Sequence, residues 1–326
     1  MQTTLADFCT RYDIPPAAAQ SLQQDLARLL QSPAGPAFAR LVSAYADDPA
    51  WQWQSALQAV ATLEATSGVH PYALQLLYAA ALLPAAWQRW RALGISREIF
   101  DDSMADLKYK LIECHKMYGI WGSCVAYWFD RWFAASRVAL GRLQFEPVRA
   151  GQLPGLQQGV CVGGQHIAPQ DVLLNVHIPS SGHMPHEAVV DAYRRAAAFF
   201  ADGGPGRALV AAWAGGEAAV RCTAPGAPVF VCESWLLWPD GEKFLPPTSN
   251  VLPFARDYTV VYTEPDGGEN LWRTFYVPWN GDPATLPEDT TYNRAWKKWL
   301  CAGGKSGIAT GLLLWNAVAG LPLPPR

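Results

Sequence analysis

The spacing of apolar residues along this 326-residue chain changes once, between residues 135 and 142. Before the change, apolar residues recur every three or four positions, as in "SLQQDLARLL" and "WQWQSALQAVATLEA", which is typical of amphipathic helices. After it, short apolar runs bounded by glycine and proline alternate with helical stretches, which indicates a mixed sheet. We therefore predict an all-helical domain over residues 1–138 and a mixed-sheet domain over 139–326, an α/β (α+β) fold.

Two breaks are expected in the helical half. Pro84 lies inside "YALQLLYAAALLPAAWQRWRAL" and should kink or split that helix. The next segment, "ISREIFDDSMADLKYKLIECHKMYG", reads as one helix that ends at Gly119.

The second half has a definite order of elements. The predicted elements after "RLQFEPV" and "GVCVGGQHI" are strand 171–178, helix 186–200, strand 229–237, helix 248–257, strands 258–263 and 271–277, and a last helix in "TYNRAWKKWLCAGG". The Gly/Ala-rich segment 201–228 is not assigned. The uncharged tail from Ser306 is glycine- and proline-rich, so a buried strand or helix is expected there and not a membrane helix.

Composition and charge argue against several classes of function. The formal net charge is −3 and the sequence has no block of like charges, so it lacks the basic patch that is typical of nucleic-acid-binding proteins. Seven cysteines without a CxxC pair indicate reduced thiols, and the start "MQTTLADFCTRYD" does not resemble a signal peptide. We expect a cytoplasmic protein without stable membrane insertion.

Several phrases of the sequence resemble a known family. They are "LGRLQFE", "NVHIPSSGHMPHEAVVDAYRRAAAFF", "VCESWLLWP" and "LPPTSNVLPFARDY". Together with the element order, they are similar to a bacterial family in which a helical N-acyltransferase N-terminal domain precedes a GNAT-like C-terminal domain. The resemblance implies acyl transfer from a thioester, either acyl-CoA or the acyl-phosphopantetheine of an acyl carrier protein, to an amine. A fatty acyl group is implied if the helical half shapes a cavity for a long chain. The acceptor would be an amino acid, another amine, or a Lys or ornithine side chain of a peptide.

The resemblance also implies where the donor binds. In this fold two parallel strands splay, the pantetheine arm enters between them, and the following helix presents its free N–H groups to the phosphates. The corresponding donor-binding candidates here are Val176, Ile178, Ser180, Ser181, Gly182, His183, His186, Ser249 and Asn250. However, "SSGHMP" lacks the glycine-rich phosphate loop of ordinary GNAT enzymes and Glu187 would compete with a phosphate, so a carrier-protein donor with one phosphate is an alternative to CoA.

Four residues are candidates for the chemistry. His177 and Glu233 lie at the ends of the two strands expected to splay, and either could remove the ammonium proton. Ser234 could donate to the oxyanion and Tyr258 could protonate the leaving thiolate. Each also has a structural interpretation: His177 as a packed core residue, Glu233 as an exposed strand residue, Tyr258 as a core residue and Ser249 as a helix cap.

Two competing function classes remain open. A GNAT-like domain that has lost its chemistry would bind a peptide or acyl ligand, and the missing glycine loop favours this reading. A zinc hydrolase would use His177, His183 and His186 with a cysteine, but the spacing "HMPHE" matches neither common zinc motif. We therefore predict no metal.

Overall fold

A computed structural model describes residues 1–48, 51–224 and 227–314. The chain separates into two compact units, Met1–Ser136 and Arg137–Arg326. The boundary that the sequence predicts, between residues 138 and 139, falls inside the first strand of the second unit, Val138–Leu140.

Helices build the first unit, as its apolar spacing predicts. In its described part they are α1 (Gln2–Arg11), α2 (Pro16–Gln31), α3 (Gly35–Asp47), α4 (Trp53–Thr62), α5 (Glu64–Ser67), α6 (Pro71–Ala92), α7 (Arg97–Met104), α8 (Asp106–Tyr118) and α9 (Asp130–Phe133), with a 3₁₀ turn at Ala126–Phe129 before α9. Three aromatic residues before the boundary are core residues: Phe129, Trp132 and Phe133 are fully buried, and the ring of Trp53 stacks on Phe133 at 4.8 Å.

The structure changes two expectations for this unit. Helix α6 continues through Pro84, so the predicted split is wrong, and the alternative of a kink stays a prediction. The predicted single helix after it is two helices, because the bond from the Lys108 N–H to the Ala105 carbonyl tightens the chain into a turn between α7 and α8. The predicted stop at Gly119 is confirmed, since this residue ends α8 in the left-handed conformation.

The second unit combines strands and helices. Its described strands are β1 (Val138–Leu140), β2 (Leu143–Arg149), β3 (Val160–Val162), β4 (Gln165–Ile167), β5 (Val172–His177), β6 (Cys222–Ala224), β7 (Ala227–Pro228), β8 (Phe230–Ser234), β9 (Thr259–Pro265) and β10 (Gly307–Leu313). Its described helices are α10 (His186–Phe200), α11 (Gly206–Ala214), α12 (Gly241–Phe244), α13 (Val251–Arg256), α14 (Leu271–Phe275) and α15 (Thr291–Cys301).

One mixed sheet organises the described part of this unit. Its strand order is β1-β2-β5-β8-β10-β9, and β3-β4 and β6-β7 form separate two-stranded sheets. The pair β5–β8 is parallel, whereas β1–β2, β2–β5, β8–β10 and β9–β10 are antiparallel.

The two faces of the sheet are covered differently. Tyr193 of α10 contacts Phe230 at 5.1 Å and Phe145 at 6.4 Å between ring centroids, so α10 packs on one face. On the other face Leu173, Val231 and Leu312 form a core with the segment 150–167. Because strand residues alternate between faces, Asn175 and His177 share the second face with Leu173.

Three predictions for this unit are wrong or too long. Residues 271–277 contain helix α14 and not a strand: Leu271 and Phe275, one helical turn apart, pack into a core with Trp296. The predicted strand 229–237 ends at Ser234, where a 3₁₀ turn begins, and the predicted helix 248–257 is only Val251–Arg256.

The remaining segments can now be placed. The unassigned segment 201–228 contains α11 and strands β6 and β7. The tail forms β10, an interior strand of the sheet, as the sequence allows; residues 315–326 lie outside the described residues. In the described part of the chain, no helix has both the length and the apolar character needed to span a bilayer.

Candidate active site

Strands β5 and β8 pair along only part of their length. Leu174 pairs with Phe230 and Asn175 with Val231, and the ladder stops there. Beyond it, β5 still pairs with β2 as far as His177, and β8 still pairs with β10 as far as Ser234. The two parallel strands therefore diverge toward their carboxyl ends, and we call this opening the fork. It confirms the splayed strands that the resemblance implies.

This divergence leaves the end of β5 without a strand partner on the β8 side. Val176 and His177 have no partner on β8, and Ile178 follows directly after β5. The N–H and C=O groups that they direct toward the fork can pair with an extended ligand, as an edge strand pairs with an added strand. This is the arrangement predicted for Val176 and Ile178 as donor-binding residues.

His177 lies at the open end of the fork in contact with a carboxylate. Its Nε2 lies 3.1 Å from Oε1 of Glu146, and Oε2 of Glu146 accepts a hydrogen bond from Nε of Arg137 at 2.8 Å. Burial by itself would raise the pKa of Glu146, but the charges of His177 and Arg137 outweigh it and hold that pKa well below its ordinary value. The imidazole is thus oriented by a carboxylate that stays ionised, an arrangement suited to a general base.

Sequence reasoning missed Glu146, the partner of His177, and Arg137, the partner of Glu146. Glu146 lies in "RLQFEPV", a run that looks like any alternating strand, and Arg137 lies just before it. The antiparallel register of β2 on β5 pairs Glu146 with Asn175 and Gln144 with His177, and this brings the carboxylate to the imidazole. A glutamate at an inward position of a predicted strand was the only available signal.

Glu233 lies on the same face of the sheet as His177. It is on β8 opposite Thr310 of β10, two residues past the last pair with β5, and its side chain is exposed. Partial desolvation and the negative charge of Glu264 raise the pKa of Glu233. The two predicted base candidates therefore border one opening, and only His177 has a carboxylate and an arginine behind it.

The other two catalytic candidates lie on the opposite face. Ser234 is buried, and its Oγ accepts a hydrogen bond from the N–H of Leu236. Tyr258 is also buried, with its hydroxyl 2.9 Å from that of Tyr193. Burial first, and then the neighbouring Tyr193, raise the pKa of Tyr258 well above that of free tyrosine. The structure thus places His177 and Glu233 on one face of the sheet, each two residues past the last β5–β8 pair, and Ser234 and Tyr258 on the α10 side.

The loop between β5 and α10 carries most of the predicted donor-binding residues. It contains Ser180, Ser181, Gly182 and His183, and Gly182 has φ +94°, a conformation that glycine adopts without strain. Arg142, which sequence reasoning missed, donates hydrogen bonds from Nη2 to the Gly182 carbonyl and from Nε to the His183 carbonyl, both at 3.1 Å. Arg142 thereby places a positive charge beside this loop.

A cavity of about 410 Å³ lies next to the same loop. Four predicted donor-binding residues line it, namely Gly182, His183, Ser249 and Asn250, together with Thr291 and Tyr292 at the start of α15. The side chains of His183 and Asn250 are 2.6 Å apart, and Ser249 Oγ accepts a hydrogen bond from the N–H of Val251. The sequence therefore identified residues from two distant segments that meet at one cavity.

His186, the first residue of α10, contacts a carboxylate and not the side chains around His183. Its Nε2 lies 2.9 and 3.0 Å from the two carboxylate oxygens of Asp257, just after α13. His183 and His186 thus contact different side chains and do not converge. Among residues 1–48, 51–224 and 227–314, no three His, Cys, Asp or Glu side chains are grouped as metal ligands would be.

Comparisons with known proteins agree with this architecture. A model of the GNAT-like C-terminal domain matches residues 138–313, and a model of the N-acyltransferase N-terminal domain matches residues 3–135. No curated protein matches the chain.

Two similar solved structures illustrate the fold. One is an acyltransferase in complex with decanoyl-CoA and teicoplanin: the identity is 20%, the TM-score is 0.66, and 98% of this chain and 87% of that chain are covered. Another is an acyltransferase in complex with CoA and 10C-teicoplanin, with 19% identity, a TM-score of 0.65 and the same coverages of 98% and 87%. The chain belongs to the acyltransferase family built from an N-acyltransferase N-terminal domain and a GNAT-like C-terminal domain.

Proposed function

We propose that this protein transfers a fatty acyl group from acyl-CoA to an amine, by direct attack of the amine on the thioester. The observation that carries the proposal is the fork between β5 and β8, with the His177–Glu146 pair at its open end. An extended pantetheine arm fits such an opening, and His177 lies only two residues from the closed end that the arm's thioester would reach.

The chemical step needs a proton acceptor and no covalent enzyme intermediate. The amine arrives as an ammonium ion, and a ring nitrogen of His177 takes one proton from it. The nitrogen lone pair then attacks the thioester carbon, and the C–N bond forms. As the C–S bond breaks, the nitrogen loses its second proton, which makes up for the proton that the leaving thiolate receives, so the products are the amide and the free thiol. Glu146 stabilises the imidazolium that forms. Tyr258 is the proposed donor of a proton to the thiolate, Ser234 the proposed donor to the oxyanion, and Glu233 the second candidate base.

The phosphate end of the donor is assigned to the loop before α10. The N–H groups at the start of this 15-residue helix and the positive end of its dipole favour an anion there. Arg142 adds a cation beside the loop, and the cavity lined by His183, Ser249 and Asn250 offers polar groups. Ser180, Ser181 and His186 complete the proposed donor-binding set. Because Glu187 would repel a pyrophosphate, acyl-phosphopantetheine on a carrier protein remains the alternative donor.

The acceptor and acyl chain follow by analogy. Related structures hold decanoyl-CoA and teicoplanin, so we propose a medium-chain acyl group and a small-molecule or peptide amine. The cytoplasmic location stays a prediction that rests on the cysteine pattern.

The first experiment tests donor and acceptor together. Purified protein is incubated with acetyl-CoA, octanoyl-CoA, decanoyl-CoA or S-decanoyl-4′-phosphopantetheine, each with L-ornithine or Nα-acetyl-L-lysine amide. We expect thiol release and an acylated amine with the longer chains. Absence of donor binding at saturating concentration, for every thioester in the panel, would refute the proposal.

A His177→Ala variant then separates an enzyme from a binding module. We expect the turnover rate to fall by roughly 10²–10⁴-fold, as for loss of a general base, while decanoyl-CoA still binds. His166→Ala is the matched control, because this histidine is exposed on strand β4 of the same unit. If the wild type binds the donor but never acylates an amine, the non-catalytic binding module is the better description.

A further inference from the structure

Asn175 has a buried polar atom without a hydrogen-bond partner among the described residues. The residue is only 8% exposed, and its Oδ1 has no hydrogen-bond partner in the described structure. Buried side-chain oxygens are nearly always hydrogen-bonded, so an exception in a well-packed strand requires an explanation. A ligand that supplies the missing donor is one such explanation.

The position of Asn175 indicates which ligand that is. It is the last residue of β5 that pairs with β8, so it marks the closed end of the fork. It lies opposite Glu146 on β2 and two residues before His177, and all three side chains are on one face of the sheet.

The proposed donor would bring its thioester to this end. A pantetheine arm whose phosphate lies at the start of α10 runs inward along Val176 and His177, and it must stop where β5 and β8 close. The thioester group itself accepts hydrogen bonds but has no N–H or O–H to donate, and the nearest amide N–H of the arm lies two carbons beyond the sulfur. The attacking amine does have an N–H to donate, and it must approach the thioester carbon.

We infer that Oδ1 of Asn175 accepts a hydrogen bond from the acceptor's amine and so positions it beside His177. This rests on the proposed function and adds a residue that recognises the acceptor as an N–H donor. Asn175 is then a substrate-positioning residue, and its unsatisfied oxygen in the free protein is the group prepared for the amine.

The test uses Asn175→Leu, which keeps the approximate volume of the side chain and removes its polar atoms. With decanoyl-CoA and whichever of L-ornithine and Nα-acetyl-L-lysine amide the wild type acylates faster, the amine KM should rise about tenfold, as expected for one lost hydrogen bond. The Kd for decanoyl-CoA should not change. The urea midpoint of unfolding should stay the same or rise, because the folded protein no longer buries an unsatisfied oxygen.

Two further variants keep the test specific. Asn175→Asp retains an acceptor oxygen and should keep the amine KM within about threefold of the wild type, less than half of the free-energy effect expected for one lost hydrogen bond. Thr310→Val is the matched control: Thr310 is 1% exposed on the same face, and its Oγ1 also has no partner in the described structure, but it lies on β10, beyond β8 from the fork. Its replacement should leave the amine KM unchanged.

Each other outcome overturns the inference. An unchanged amine KM in Asn175→Leu, an equal rise in Thr310→Val or Asn175→Asp, a weaker donor Kd, or a lower urea midpoint would assign Asn175 to packing or donor binding. A wild type that acylates neither amine refutes the proposed function and this inference together. An active wild type with a normal Asn175→Leu variant refutes the inference alone.

Discussion

Glu146 is a buried carboxylate held between two basic side chains. Its partner Arg137 is only 2% exposed, so neither charge is solvated and each depends on the other. Because the pKa of Glu146 is lower in the folded protein than its ordinary value of 4.5, ionisation of this group favours folding. That contribution is fully present above about pH 4.5 and is lost as the pH falls toward the folded-state pKa.

Replacing Glu146 with Gln should therefore destabilise the protein in a pH-dependent way. The variant leaves Arg137 buried without its counter-charge, which should cost roughly 3–5 kcal/mol of unfolding free energy at pH 7. Urea unfolding from pH 7 down to pH 3 measures the difference, which should shrink below about pH 4.5 as the wild type loses its own advantage.

The control for this variant is Glu269→Gln, at an exposed glutamate of the same unit. It should change the unfolding free energy by less than about 0.5 kcal/mol. A pH-independent loss of stability in Glu146→Gln would mean that packing, and not the charge of Glu146, accounts for the effect.

Helices α10 and α6 differ in how well the sequence predicted them. Helix α10 occupies His186–Phe200, the range that its apolar spacing predicts, because one face of it is buried from Val189 to Phe200. Helix α6 continues through Pro84 although proline removes one backbone donor and clashes with the carbonyl of Ala80. Buried residues on both sides of Pro84, including Leu82, Leu83 and Ala86, keep this helix in place.

A Pro84→Ala variant should consequently be more stable than the wild type. Pro84 is exposed, so alanine restores the helical hydrogen bond without leaving a cavity, and the gain should be about 1–3 kcal/mol of unfolding free energy. Urea unfolding at pH 7 measures it. Pro36→Ala is the matched control, because proline is well tolerated in the first turn of α3 and little change is expected. A less stable Pro84→Ala variant would show that the surrounding core requires the distortion that proline introduces.

At the scale of the whole molecule, the fork is an interruption in an otherwise continuous sheet. Four of the five strand pairs in the described sheet are antiparallel ladders, and the single parallel pair stops after two residue pairs. A ligand bound there would contact strands on both sides, so its binding should stabilise the folded chain as a whole.

Donor binding should thus appear as thermal and chemical stabilisation. A thioester present at 100 times its Kd should add about 2.7 kcal/mol of unfolding free energy. Unfolding is followed with decanoyl-CoA, S-decanoyl-4′-phosphopantetheine and adenosine 3′,5′-bisphosphate. We expect both thioesters to stabilise the protein, because both carry the arm that enters the fork. If adenosine 3′,5′-bisphosphate stabilised the protein and neither thioester did, that result would contradict binding at the fork.

The sequence by itself determined the features that depend on neighbours in the chain. These include the change from helical to mixed structure near residue 138, strand β5, helix α10, the stop at Gly119 and the family resemblance. Each follows from apolar period, a glycine or proline, or a run of matching residues, and none needs a distant partner. Where a short run fits two periods, as at 271–277, sequence reasoning chose a strand and packing against Trp296 produced a helix.

Only the tertiary structure decided the composition of the site. Glu146 meets His177 because β2 pairs with β5 in one register, and a shift by one residue would turn Glu146 to the other face. The fork exists because, beyond Asn175, β8 stays paired with β10 while β5 stays paired with β2. Asn175 is therefore the last residue of β5 before the two strands separate. Strand pairing is non-local and depends on the burial of whole faces, and the residues of one strand alone do not contain that information.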